Sequence, residues 1–167
     1  TIYLKSQGYL EKVNDNHMHD LAKFMFGVSV FWAYLWFSQF MLIWYANIPE
    51  EVVYFVARIQ DYSLPFWGMI VTNLIFPFLV LMNSDYKRVN WLIVMTGIVI
   101  LFGHYLDFYN MIMPGTVGDQ WFIGIPEMGG VLFFGGLFIY VVFKTLTKVS
   151  LEPSGDPLFK ESEKFVY

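Results

Sequence analysis

The chain has 167 residues, 57% hydrophobic and 14% charged, with a net charge of −4 and a mean hydropathy of +0.51. Soluble domains carry about 25% charged residues, so this balance points to a bilayer, and the lack of a basic surface excludes nucleic acid as a partner. With no cysteine, the chain cannot hold a disulfide, a thiolate-bound zinc or an iron–sulfur cluster.

The chain opens on Thr1, and residues 1–20 are too polar for a secretory signal, as expected of a processed chain or a piece of a longer one. They read as a cytoplasmic N-terminal segment, with His17 and His19 preceding the first membrane helix. Residues 24–46, "FMFGVSVFWAYLWFSQFMLIWYA", carry no charge and are long enough to cross about 30 Å of hydrocarbon. The following loop, "NIPEEVVYFVARIQD" (47–61), predicts a short interfacial helix after Pro49, with Val52, Val53, Phe55, Val56 and Ile59 on lipid or on a neighbour. Further apolar runs cover 62–84, 89–111 and 126–143. The expected fold is therefore an all-α, four-helix transmembrane bundle over 21–146. The remainder, 147–167, mixes Pro, Gly and charge and reads as an extended cytoplasmic tail.

Charge placement sets the direction. Lys5, Lys12, Lys23, Lys87, Arg88, Lys144, Lys148, Lys160 and Lys164 fall on one side, and only Arg58 falls on the other. By the positive-inside rule both termini are cytoplasmic.

Within the spans, "LFGHYLDFYN" (101–110) places His104 and Asp107 about 60° apart on one helix face, with Gly97 on the same face to admit a neighbouring helix. Measured from the cytoplasmic end, both belong to the outer half of the bilayer. Two readings follow. Either the pair serves a proton relay or a quinone headgroup, or the third helix ends near Leu106 and leaves Asp107 wet at the interface. In the first helix, Gly27, Tyr34, Ser38 and Tyr45 form one stripe. Ser38 and Gln39 lie at the depth of His104. Ser38 reads as an interhelical hydrogen-bonding residue, and Gln39 equally as that or as part of the site. In the second helix Pro77 cannot donate to the Asn73 carbonyl, which predicts a kink and a freed acceptor near mid-membrane, either structural or water-holding. The fourth helix opens "GIPEMGG". Pro126 suits a first helical position, and Glu127 in the first turn suits the helix dipole while remaining a candidate proton outlet. Gly129 and Gly136, seven apart, read as a packing face.

A haem between helices needs two intramembrane histidines, and only His104 qualifies; no phosphate loop, catalytic triad or metal-ligand cluster appears. No half-helix substrate site of a transporter is evident beyond Pro77. No cofactor, metal or catalytic residue is assigned to this chain.

Residues 17–51, above all "FWAYLWFSQFMLIWYANIPEE", together with "GHYLDFYNMIMP" and "IPEMGG", resemble the NrfD/polysulfide-reductase-like membrane subunits of bacterial alternative complex III. The resemblance runs from about His17 to the last helix. It implies a multi-pass inner-membrane subunit of a quinol oxidoreductase that passes electrons to cytochrome c or to an oxidase. It also implies haems c and iron–sulfur clusters in partner subunits, a sister subunit of the same kind, and a terminal oxidase as a further partner. Quinone would be the small molecule nearby, and lipids would cover the rest. Such subunits contain two four-helix bundles, and this chain is similar only to the C-terminal one. A complete quinone pocket or proton path therefore cannot be located on it. The resemblance leaves a scaffold with a proton-conducting bundle, or a purely structural subunit that organises a respiratory supercomplex.

Overall fold

The computed structural model describes residues 1–119, 121–151 and 155–164, and every regular element among them is helical. In chain order these are α1 (Ile2–Ser6), α2 (Asp15–Ala46), α3 (Pro49–Gln60), α4 (Ser63–Ile70), a π-helical turn (Val71–Ile75), α5 (Phe76–Leu81), a 3-10 turn (Tyr86–Arg88), α6 (Asn90–Thr116), α7 (Ile125–Leu146) and α8 (Phe159–Glu163). Four stretches are long and apolar enough to cross a membrane: α2, the continuous Ser63–Leu81, α6 and α7. The chain is an all-α, multi-pass membrane protein.

Helix α2 starts earlier than its apolar run. Asp15 supplies a negative charge to the first turn, where the helix dipole favours it, and the helix continues for 32 residues. At 1.5 Å per residue that is about 48 Å, well over the hydrocarbon thickness, so the polar opening turns project beyond it. His17 and His19 thus stand inside α2 rather than before it, and His19 is buried.

The helix expected after Pro49 is present. Pro49 occupies its first turn with Glu50 and Glu51, and its inward face buries Phe55 and Arg58. Val53, Val56 and Ile59 remain exposed.

The described chain divides into two compact units, Asp15–Trp121 and a smaller one joining Thr1–Asn14 to the chain from Phe122 onward. In the larger unit the core consists of Phe55, Phe66, Met69 and Leu106, with Trp32, Trp36, Phe40 and Ile43 packed around it. Helices in lipid gain no hydrophobic drive from each other, so ring geometry carries the packing. Phe55 meets Phe40 edge-on at 5.0 Å and Trp36 edge-on at 6.0 Å, and Trp36 lies 5.6 Å from Phe66. Such pairs contribute about 0.5–1.5 kcal/mol each. The inward stripe of α2 is therefore Trp32, Trp36, Phe40 and Ile43, whereas Tyr34 and Tyr45 of the Gly27 stripe face outward.

The two ends of this unit are built differently. At one end the 3-10 turn packs on the start of α2, with Lys87 Nζ 5.5 Å above the Phe26 ring. At the other, Arg58 of α3 reaches the Met111 carbonyl (3.2 Å), and the Tyr62 hydroxyl donates to the Gly118 carbonyl (2.7 Å).

In the smaller unit α1 lies against the last turns of α7, the Tyr3 and Phe143 rings meeting edge-on at 5.6 Å. Lys12 Nζ sits 4.8 Å above Phe159. Part of the tail expected to be extended is thus one helical turn, Phe159–Glu163, started by a Leu158 N–H donating to Asp156 Oδ1 at 2.9 Å. Tail residues 152–154 and 165–167 lie outside the described residues. Helix α7 buries none of its residues. Within this unit a Cβ at Gly129 or Gly136 would meet nothing within 4 Å.

Candidate functional site

Helix α6 does not stop near Leu106. It runs unbroken to Thr116, so Asp107 lies inside the helix and not at its end. Both His104 and Asp107 turn towards α2, as their spacing requires, and both meet one side chain there. Trp32 Nε1 donates to Asp107 Oδ2 at 2.9 Å, and the Trp32 ring stands edge-on to the His104 ring at 6.0 Å. At Gly97, on the same side, a Cβ would make only an ordinary contact, 3.5 Å from Met25 Cε at the end of a flexible side chain, so the close helix approach expected there is not made.

Gln39 lies seven residues beyond Trp32 and so returns to the same face of α2. With Trp32, Trp36, Tyr54, Asp107 and Met111 it lines a cleft of about 190 Å³. Ligand pockets usually exceed about 300 Å³. A cleft this size suits a few waters better than a quinone ring. The side chains lining it include a carboxylate, an indole N–H already given to that carboxylate, a primary amide, and Tyr54 and Trp36 with a hydroxyl and a second indole N–H. Such a set can order water beside a proton-accepting oxygen. Both His104 and Asp107 are half-buried.

Arg58 closes the outer end of this face. Its guanidinium lies 3.4 Å from the Tyr54 ring centre, donates through Nη1 to the Tyr54 carbonyl (2.7 Å) and through Nη2 to the Met111 carbonyl (3.2 Å). Burial pulls its pKa below the ordinary value, opposed by Tyr54. Arginine starts so far above neutrality that it stays charged. It therefore clamps α3 onto α6.

Asn73 belongs to a different seam. Pro77 has no N–H, and the helix accommodates this by opening into the π turn Val71–Ile75, where the Phe76 N–H bonds to the Val71 carbonyl. In that wide register the missing donor is owed to Thr72, and in the regular register to Asn73, so an acceptor is freed near mid-span. Asn73 is buried against Gly103 of α6, where a Cβ would overlap Asn73 Oδ1 and Thr72 Oγ1. Thr96, Gly103 and Asn110 recur every seven residues along α6, and all three are buried. Among the described residues, the Asn73 and Asn110 amides and the Thr96 hydroxyl have no hydrogen-bond partner.

Ser38 is half-exposed on α2, about 100° away from Gln39, and does not line the cleft. Glu127 belongs to the smaller unit. Its Oε2 accepts from the Gly124 N–H at 2.8 Å, the Glu127 half of a capping box at the start of α7, the other half being impossible because Gly124 has no side chain. The site expected from sequence thus separates. His104, Asp107 and Gln39 share one face, Asn73 lies on another seam, and Glu127 serves its own helix.

Trp32, Tyr54 and Arg58 were not singled out in the sequence. The lone outer cation could have flagged Arg58. Trp32 lacked any signal among the many rings of α2. No group of three or more His, Asp or Glu side chains able to hold a metal occurs among the described residues. No protein-family model and no curated protein matches the chain.

Proposed function

We propose that this chain is a membrane subunit, free of redox centres, of a respiratory quinol oxidoreductase of the alternative complex III type. In that reading it sits in the bacterial inner membrane with both termini cytoplasmic, and it provides a short outer-half step in a proton path. The observation carrying the proton role is Asp107: a carboxylate placed mid-helix, held by Trp32 Nε1 at 2.9 Å, and open to a small cleft beside Gln39. A carboxylate at such depth costs enough that structural convenience is a poor reason for it. The oxidoreductase setting rests on the resemblance of "FWAYLWFSQFMLIWYANIPEE", "GHYLDFYNMIMP" and "IPEMGG" to such subunits. Haems c and iron–sulfur clusters would belong to partner subunits, and quinone oxidation to a sister subunit.

In this mechanism Trp32 fixes one oxygen of Asp107 by donation, leaving the other to exchange a proton with cleft water. Gln39 orients that water, and His104, against the other side of Trp32, is the next group inward.

The test uses the intact complex with His104→Leu and Asp107→Asn. Loss of proton release or of quinol turnover by tenfold or more, with normal assembly, is expected. Unchanged turnover and proton release would overturn the proton role. They would favour the second reading, a structural scaffold of a respiratory supercomplex.

A further inference from the structure

The seam between α6 and the interrupted helix Ser63–Leu81 is separate from the Asp107 cleft and lies wholly within the larger unit. Asn73 is 1% exposed there, and neither its Nδ2 nor its Oδ1 has a hydrogen-bond partner among the described residues. A primary amide brings two donors and an acceptor, and leaving them unmade in an apolar interior costs more than making them gains.

The neighbouring side chains do not answer this amide. Oδ1 is turned towards Gly103, where a Cβ would overlap it, and glycine has no side chain to donate. Thr72 gives its hydroxyl hydrogen to the Gly68 carbonyl at 2.8 Å, with the Met69 carbonyl at 3.3 Å. Thr96 and Asn110 each lie seven residues from Gly103, about 10 Å along α6, too far for a direct bond to Asn73.

The backbone of the same turn lacks a donor as well. The Phe76 N–H closes the π turn on the Val71 carbonyl, and Pro77 follows with no N–H, so the Thr72 or Asn73 carbonyl loses its partner. An unmet amide and an unmet carbonyl therefore share one turn near mid-span, where lipid supplies no hydrogen bonds. The two observations are independent, since one concerns a side chain and the other a proline.

We propose that an ordered water occupies this turn and bridges the Asn73 side-chain amide to the carbonyl freed by Pro77. Water fits the set because it donates and accepts at once, whereas a bound cation would serve the oxygens and leave Nδ2 unmet. Buried waters make about three such bonds and occur about once per 27 residues, so a unit of this size holds several. Water inserted in the ladder is also a known way for a helix to absorb a break. Asn110 is equally unpaired but has no freed backbone acceptor beside it, so the proposal stops at Asn73. It does not depend on the proton role of Asp107.

The test is a double-mutant cycle on the intact detergent-solubilised protein, read as its thermal midpoint. Asn73→Leu removes the amide that holds the water and strands the carbonyl, so the midpoint should fall by about 2–4 °C. Pro77→Ala returns an N–H to that carbonyl, and in its background the fall should shrink to roughly half or less. An equal fall in both backgrounds would assign the loss to packing, and a midpoint unmoved by Asn73→Leu would mean that the amide holds nothing; either overturns the proposal. A high-resolution map of the unaltered protein gives a second reading. It should show a peak about 2.8 Å from both the Asn73 amide and the freed carbonyl. A resolved Asn73 side chain with no such peak would overturn the proposal, and the map decides alone should Asn73→Leu fail to assemble.

Discussion

One indole decides how the polar residues of α6 behave. Without Trp32, His104 and Asp107 are two ionisable groups on a helix face; with it, they become the two neighbours of a single rigid side chain. Trp32→Phe removes the donor together with the five-membered half of the indole, so part of its cost is lost packing. A side-chain hydrogen bond between membrane helices contributes about 1 kcal/mol. Trp32→Phe should therefore lower the thermal midpoint of the detergent-solubilised protein, and should lower it less in an Asp107→Leu background, where only the packing cost remains. An equal cost in both backgrounds would mean that the bond is not what Trp32 contributes. The residues His104, Asp107 and Gln39 were legible in the sequence because polar groups are conspicuous in an apolar run. Trp32 was not, because it is one of 6 tryptophans in a chain that is 21% aromatic.

At the level of elements, the interrupted helix Ser63–Leu81 explains more than its length does. Pro77 announced a break in the sequence, but the break takes the form of a π turn, which presents Asn73 and Thr72 to α6. Only glycine fits opposite them. Gly103→Ala should destabilise the protein by about 1–3 kcal/mol, the usual cost of overpacking, seen as a lower thermal midpoint. Gly136→Ala makes the contrasting case, since a Cβ there meets nothing within 4 Å in its own unit. It should leave that midpoint unchanged or raise it slightly, through the better helix propensity of alanine. The sequence drew attention to Gly129 and Gly136 by their spacing, and passed over Gly103. Spacing reveals a face; it does not reveal whether anything stands opposite.

For the whole molecule, taken one unit at a time, the segments at each end can be named without reference to the membrane. The Tyr86–Arg88 turn packs at the start of α2, while α3 and the end of α6 join at the other end. Within the smaller unit α1 meets the last turns of α7, and Lys12 meets the tail. A chain with no cysteine permits a clean check by single-cysteine labelling. In intact cells Asp119→Cys should react with a membrane-impermeant maleimide, and Ser84→Cys should react only after the membrane is opened. Labelling of both from outside would contradict the assigned direction.

The sequence by itself determined the all-α membrane class, the four spans, the interfacial helix after Pro49 and the shared face of His104 and Asp107. These follow from local quantities: hydropathy over a window, a proline at a first turn, and the angle between residues on one helix. Tertiary structure decided the rest. It continued α6 past Leu106 and brought Trp32 to Asp107. It set Asn73 on a separate seam with Gly103, and turned Arg58 inward onto the Met111 carbonyl. Each of these is a pairing between residues far apart in the chain, fixed by how two helices are rotated about their axes. In a chain with apolar side chains on nearly every face, periodicity cannot specify that rotation.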